Sequence, residues 1–376
     1  MDRQHLASIQ ECFSDLTDPR MEGKIRHSLL DMVVLTICAV ISGADTWVDV
    51  EAYAKAKLEW FEDVLELPNG IPSHDTFGRV FSLVSPTELQ ECFAKWVRTV
   101  AGVLEGKVVA IDGKTLRRSH DSASGAPAIH MVSAWAAANS LVLGQLKTEA
   151  KSNEITAIPA LLKVLDLKGC IVTIDAMGCQ KEIVAQIVEQ KADYVLGLKG
   201  NQERLHEAAC ERFAAIREQR RGDGAVGSYH EITEKGHGRV ETRRCWVLPA
   251  DPHLPGYEEW KNLNSLVMVE AERQADQKTT CECRYYISSL DCSAERTLDA
   301  TRKHWGIENS VHWILDIAFR EDESRVRIGH AAENFAIIRH LVLNLLKQEN
   351  TAKVGTKCKR LKAAWDNDYL LKVLGA

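Results

Sequence analysis

Two short apolar segments, each followed directly by an aspartate, constrain the fold of this chain more than any other feature. Residues 108–111 lead into Asp112, and residues 170–174 lead into Asp175. Such runs of β-branched and small apolar residues are typical of buried strands. Gly113 follows the first aspartate and predicts a turn at that point. Two strand-end carboxylates directed at a common point predict a site for a divalent cation.

A third carboxylate, Glu308, lies in a segment with helical periodicity. On an α-helix it shares one face with Val311 and Leu315, which predicts that it points towards the core that holds the two strands. Asp316 is displaced by about 80° around the same helix, and Asp322 lies about 21 Å along it. We therefore expect Glu308 to be the third metal ligand.

Each of these acids also has a plainer interpretation. Asp112 and Asp175 belong to a residue type that often caps helices or occupies turns after a strand. Glu308 fits an amphipathic helix in which Trp305, Trp313 and Phe319 pack while the acids face water. The joint placement of the three acids favours the cation site, because a core that holds several carboxylates requires a counter-charge.

The order of the predicted elements indicates an α/β fold. Residues 1–104 show helical periodicity and predict an N-terminal helical module. Residues 105–350 follow the order β-β-β-α-β-α-β-α, with the aspartates on the first and fourth strands and a helix start at 151–154. This is the ribonuclease-H-like arrangement, a mixed sheet with flanking helices. A β-rich insertion is predicted at 222–298, before the last catalytic helix, and a basic C-terminal tail at 351–376.

Composition bears on where such a chain works. The 376 residues carry a formal net charge of −6, with 45% hydrophobic and 27% charged residues, which is ordinary for a soluble globular protein. The longest apolar run, residues 32–41, is about half a membrane span, and the N-terminus lacks the apolar region of a signal peptide. Eleven cysteines without a C-x-x-C pair predict reduced thiols. We expect a cytoplasmic protein that makes no membrane contact.

Several short motifs occur together and are spread over nearly the whole chain. They are Ala110-Ile111-Asp112-Gly113-Lys114-Thr115-Leu116-Arg117, Lys151-Ser152-Asn153-Glu154-Ile155, Asp175-Ala176, Leu198-Lys199-Gly200-Asn201-Gln202, Tyr285-Tyr286-Ile287-Ser288-Ser289, and a run from Arg302 to Asp322. In combination these motifs resemble the H-repeat-associated insertion-sequence transposases of the DDE transposase superfamily.

The resemblance implies an enzyme that cuts DNA at the ends of a mobile element and joins those ends to target DNA. By this likeness Asp112, Asp175 and Glu308 form the catalytic triad and bind Mg²⁺ or Mn²⁺, as two ions. A homodimer or a larger assembly is expected, because two DNA ends have to be held together.

The residues that would contact DNA are less regular. The wider superfamily often surrounds the glutamate with a tyrosine, an arginine and a lysine, but the matching positions here are Thr301, His304 and Leu315. Arg302, Lys303 and His304 are the expected substitutes. Further predicted contacts to DNA phosphates, with ordinary surface roles as the alternative, are Lys114, Arg117, Lys199 and Arg239.

Residues near Asp112 argue against two other classes of enzyme. A phosphoaspartate phosphatase needs a second aspartate two positions before Asp112, where the chain has Ala110. A sugar kinase needs a glycine-rich phosphate loop, which residues 114–117 do not form. A hydrolytic nuclease on the same core and a DNA-binding relic that has lost mobility stay open as alternatives.

Overall fold

A computed structural model describes residues 4–120, 127–148, 154–219, 227–236, 238–275 and 278–375. Residues 151–153, which are predicted to begin a helix, lie outside the described residues, as do residues 222–226 at the start of the predicted insertion. Among the described helices, none combines the length and the apolar character that crossing a bilayer requires.

The described part of the first 104 residues is helical, as its periodicity predicts. The helices are α1 (Gln4–Phe13), α2 (Leu29–Ile41), α3 (Trp47–Ala56), α4 (Leu58–Glu62), α5 (His74–Leu83) and α6 (Pro86–Val100). Ser28, Ser73 and Ser85 fix the starts of α2, α5 and α6, because each side chain accepts a hydrogen bond from the backbone amide three residues on. The apolar α2 is buried along almost its whole length.

A nine-stranded sheet lies at the centre of the described fold. Its strands are β1 (Val108–Thr115), β2 (His130–Ala136), β3 (Leu141–Lys147), β4 (Ile171–Ile174), β5 (Asp193–Leu198), β6 (Ser228–Gly236), β7 (Arg239–Pro249), β8 (Ser265–Ala275) and β9 (Lys278–Ser288). Their order across the sheet is β3-β2-β1-β4-β5-β9-β8-β7-β6. Strands β1, β4 and β5 are parallel, and the other neighbouring pairs are antiparallel. The first five strands confirm the predicted ribonuclease-H-like fold.

Helices cover both faces of the central strands. They are α7 (Glu154–Val164), α8 (Lys181–Glu189), α9 (Glu203–Gln219), α10 (Ala294–His304), α11 (Trp313–Phe319), α12 (Ala331–Gln348), α13 (Thr356–Trp365) and α14 (Asn367–Leu374). Val108, Ile171 and Val195 pack with α10 on one face. Their neighbours along the strands join a larger core that includes α7, α12 and the N-terminal helices. The catalytic strands are therefore buried on both faces, as their continuous apolar runs indicate.

The predicted β-rich insertion is confirmed, and it extends the central sheet. Strand β9 pairs with β5 from Val195, opposite Ser288, to Leu198, opposite Tyr285. Strands β8, β7 and β6 then follow outward in antiparallel order. The insertion is thus hydrogen-bonded directly to a strand of the catalytic core.

The predicted basic tail is folded as α13 and α14. Lys359 and Arg360, two of its cations, are buried. The Arg360 guanidinium donates to the carbonyl oxygens of Val40 and Ala318 and pairs with Asp45 at 2.9 Å. These contacts tie α13 to the N-terminal helices and to α11, so part of the predicted basic tail belongs to the core, whereas Lys353, Lys357 and Lys362 are exposed.

Candidate active site

Asp112 lies inside β1, one position beyond the last pair that β1 forms with β4. That last pair is Ile111 with Ile174, whereas β1 stays paired with β2 as far as Thr115. The turn predicted at Gly113 is therefore wrong, because pairing with β2 carries the strand straight through this residue. Asp112 is consequently placed at the edge where β4 ends.

Asp175 directly follows β4 and caps a short 3₁₀ helix, Ala176–Gly178. Its Oδ1 accepts hydrogen bonds from the backbone amides of Met177, at 3.0 Å, and Gly178, at 3.4 Å. Burial raises the pKa of Asp175, the charge of Glu154 raises it further, and the two amides and Lys199 lower it. Asp175 therefore does cap a helix, as the plainer interpretation predicts, and the same hydrogen bonds fix the direction of its carboxylate.

A fourth acid at this edge, Glu154 at the start of α7, was missed by the sequence analysis. Its Oε1 lies 2.8 Å from Nε2 of His130, and Nδ1 of His130 lies 2.8 Å from Oγ1 of Thr115. A β-carbon at Gly113 would overlap the Glu154 carboxylate and the His130 ring, so glycine is needed here for close approach. In the sequence, Glu154 looks like any acid that begins a helix.

Glu308 begins a π-helical segment that separates α10 from α11. A π turn is wider than an α turn and shifts the phase of the residues around it, so the face calculated for a continuous α-helix does not apply. Val311 is buried as predicted, but Glu308 is exposed. The prediction that Glu308 points into the core is wrong. The alternative interpretation is correct in part: Glu308 faces water and Phe319 is buried, but Trp305 and Trp313 are 46% and 59% exposed and do not pack as it predicts.

Repulsion among the acids is evident in the pKa of Asp112. Burial has the largest effect, and together with the charges of Glu154, Asp175 and Glu308 it raises the pKa from 3.8 to about 7, against one backbone amide that lowers it. His312 Nδ1 lies 3.6 Å from the Asp112 carboxylate, but burial lowers the pKa of His312 to about 4, so the ring is neutral at neutral pH. A divalent cation would relieve this repulsion, since carboxylate oxygens are the ligands that Mg²⁺ and Mn²⁺ prefer.

The carboxylates do not already surround a single point. Within the described residues, one group of three potential metal ligands has its ligand atoms within 4.8 Å of one another. This group consists of Glu270, Cys281 and Cys283 on β8 and β9. The oxygens of the candidate site are spread more widely than this. Side-chain rotation would be needed to bring them onto one cation.

Lys114, a predicted DNA contact, is held by acids. Its ammonium lies 2.8 Å from Asp316, 3.0 Å from Glu321 and 3.2 Å from Asp322, and its side chain is 11% exposed. Burial lowers the pKa of Lys114, but Glu321 and Asp316 together raise it above its usual value. The structure therefore corrects the assignment to a phosphate contact, and it shows that these acids of the final helical region already have a cationic partner. Arg117 lies 3.3 Å from Asp322 but is 80% exposed, so it stays accessible.

A cationic cleft opens beside Glu308, between the outer strands β7 to β9 and α10. Its volume is about 720 Å³, and six cationic and four acidic side chains line it. The cationic side chains are those of Arg239, Arg243, Arg273, Arg284, Arg302 and Lys303. The structure thus brings the predicted contacts Arg239 and Arg302 to one surface, with side chains 50% and 39% exposed. The Arg284 guanidinium stacks over the exposed Trp305 ring, 4.2 Å from its centroid.

The other two predicted DNA contacts, Lys199 and His304, line an adjoining pocket that shares Arg284 and Trp305 with this cleft. Lys199 is exposed and lies close enough to Asp175 to lower the pKa of that carboxyl group. His304 is buried, with Nδ1 3.1 Å from Oγ1 of Thr173, and burial lowers its pKa to about 4. His304 is therefore a neutral core residue, and its predicted DNA contact is corrected.

Known proteins match both parts of the chain. Residues 10–97 match the family described as DDE_Tnp_1-associated, and residues 104–345 match the family described as Transposase DDE domain. The chain is 44% identical over 374 residues to "H repeat-associated putative transposase YhhI" of Escherichia coli strain K12, with 98% of each chain covered. It is 44% identical over 376 residues to "Putative transposase YncI" of Escherichia coli O157:H7, covering 99% of this chain and 95% of the relative. A cryo-EM structure of a piggyBac transposase synaptic complex with hairpin DNA aligns with 100% of this chain and 82% of that chain, at 11% identity and a TM-score of 0.41.

Proposed function

The chain belongs to the family of transposases with a DDE domain, and on this premise we propose that it cleaves DNA at the ends of an insertion sequence and joins those ends to target DNA. One observation carries the proposal. Glu308 belongs to two features of the site. It is one of the acids whose charge raises the pKa of Asp112, and it also lines the cationic cleft. A DNA strand that follows the cleft would have its phosphates beside the carboxylates.

Asp112, Asp175 and Glu308 are the residues that would hold the divalent cations. The fit rests on the donor set, because Asp112 is under repulsion from neighbouring acids and carboxylate oxygens suit Mg²⁺ or Mn²⁺. The cations would activate water or a 3′-hydroxyl group for in-line displacement at phosphorus and stabilise the leaving oxygen. The amides of Met177 and Gly178 would keep the Asp175 carboxylate directed into the site.

The cleft would position the DNA. Arg302 donates two hydrogen bonds to Glu234, at 2.7 and 2.8 Å, and a phosphate would replace this carboxylate as the acceptor. Arg239 lies 3.9 Å from Glu241 and can make the same exchange. Contacts of this kind set the position of the DNA without reading its sequence.

The proposal is tested with labelled DNA that carries the ends of the element, in Mg²⁺ or Mn²⁺. We expect the wild-type protein to cut at the end and to join it to target DNA. Asp112→Asn, Asp175→Asn and Glu308→Gln should each abolish both steps. Glu323→Gln, at an exposed glutamate paired with Arg320, is the matched control and should retain activity.

The alternatives predict different outcomes in the same assay. Cutting without joining would indicate a hydrolytic nuclease. Binding of the ends without cutting would indicate an inactive relic. Activity that survives Glu308→Gln would exclude this residue as the third ligand.

We also propose that a homodimer or larger assembly holds two DNA ends together. Sedimentation of the protein with end DNA should show complexes that contain paired ends. Complexes with one protomer on one end at every protein concentration would contradict this assembly.

A further inference from the structure

The position of Glu154 relative to the two aspartates is not explained by the triad. A β-carbon built at Gly113, the residue that follows Asp112, would overlap the Glu154 carboxylate, so this carboxylate lies against the backbone directly next to Asp112. Asp175 follows β4, which pairs in parallel with β1, so it lies at the same edge of the sheet. In agreement with this placement, the charge of Glu154 raises the pKa of both aspartates.

The side chain of Glu154 is held in place by its neighbours. His130 approaches its Oε1 at 2.8 Å and is itself fixed by Thr115, which lies opposite it in the β1–β2 pairing. The side chains of Glu154 and His130 are 14% and 25% exposed. The missing β-carbon at Gly113 provides the space for this pair directly beside Asp112.

We propose that Glu154 is a fourth carboxylate ligand of the cation site, acting together with Asp112 and Asp175. The inference rests on the proposed function, because it assigns a further ligand to the same site. A glutamate whose Oε1 is fixed by a histidine keeps Oε2 for a cation, and such outer hydrogen bonds are the usual means of orienting metal ligands. Glu308, exposed on its π turn, would then be the more adjustable ligand of the four.

The simpler explanation is that Glu154 only begins α7 and accepts a hydrogen bond from His130. Glu154→Gln separates the two roles, because the amide oxygen still accepts that hydrogen bond while the charge is removed. Glu154→Asp keeps the charge but withdraws the carboxylate by one methylene group. Glu333→Gln is the matched control, because Glu333 is a part-buried glutamate, 17% exposed, that lies 4.0 Å from Lys147.

Mn²⁺ binding to the full chain without DNA is measured by the loss of the electron paramagnetic resonance signal of free Mn²⁺. We expect Glu154→Gln and Glu154→Asp to weaken Mn²⁺ binding about tenfold or more. Glu333→Gln should bind Mn²⁺ as the wild-type protein does. Melting of each variant in EDTA verifies that it is folded.

The outcomes separate this inference from the proposed function. If Asp112→Asn loses Mn²⁺ binding but both Glu154 variants retain it, Glu154 is not a ligand and the proposed function stands. If folded wild-type protein does not bind Mn²⁺, the cation site itself is overturned, and with it the role of Glu154.

Discussion

Asp112 should destabilise the metal-free protein, so Asp112→Asn should make it more stable. In the native state the pKa of this carboxyl group is raised from 3.8 to about 7, chiefly by burial. In the unfolded chain an aspartate loses its proton at about pH 3.9. Between these values the native state binds more protons than the unfolded state, so stability falls as the pH rises and the loss is complete above about pH 7.

The magnitude follows from the same two pKa values. A rise from 3.8 to about 7 corresponds to about 4 kcal/mol at about 1.36 kcal/mol per pKa unit. The side chain is 25% exposed, so solvent screens part of this free energy, and we expect about 1 to 3 kcal/mol. Below about pH 4 the wild-type protein and the variant should differ little, because the carboxyl group is protonated in both states.

Melting temperatures in EDTA, measured at pH 5 and at pH 8, provide the assay. The variant should melt above the wild-type protein at pH 8, with a smaller difference at pH 5. Added Mg²⁺ should stabilise the wild-type protein but not the variant, since a ligand stabilises only the state that binds it. Asp75→Asn is the control, because that side chain is 90% exposed and should not alter the pH dependence. A variant that melts below the wild-type protein at pH 8 would refute the reasoning.

Three further substitutions test other parts of the site. Gly113→Ala should lower the free energy of unfolding by about 1 to 3 kcal/mol and weaken Mn²⁺ binding, because the added methyl group displaces Glu154. Gly23→Ala is the control, because its methyl group would meet open space, and it should change neither the melting temperature nor the Mn²⁺ titration. Lys114→Met should lower the melting temperature by the equivalent of about 3 kcal/mol, because it removes the ammonium that lies 3.0 Å from the buried Glu321 carboxylate. Arg117→Ala is the control and should not lower the melting temperature, because that side chain is 80% exposed. Arg302→Ala should weaken DNA binding and reduce its salt dependence by about one phosphate contact in a salt titration, and an unchanged slope would remove Arg302 from the interface.

The central strands and the position of the two aspartates were predictable from the sequence. The apolar runs before Asp112 and Asp175 are buried on both faces, and few other environments accept four such residues in succession. Carboxylates that follow adjacent parallel strands have to lie at the same edge, because the strands run in the same direction. The order of the predicted elements was then enough to indicate the ribonuclease-H-like arrangement of the first five strands, but not that the insertion extends the same sheet.

The surroundings of these aspartates were not predictable in the same way. The phase of Glu308 depends on one π turn, and a calculation that assumes 3.6 residues per turn cannot include it. Two of the partners of Lys114, Glu321 and Asp322, lie 207 and 208 positions later in the chain, so no local pattern identifies them. Glu154 lies close to Asp112 only because α7 packs on the sheet, and the sequence does not indicate this packing.

Arg360 has a consequence for the order in which the site is assembled during synthesis. Its guanidinium donates a hydrogen bond to the carbonyl oxygen of Ala318 at the end of α11 and stacks over Phe319, 4.4 Å from the ring centroid. The strands that carry the two aspartates are made long before this residue, whereas the end of the helix that follows Glu308 lacks its partner until α13 exists. A growing chain would therefore acquire both aspartates first and fix the glutamate last. Under the proposed function, the cation site would therefore be complete only at a late step of folding.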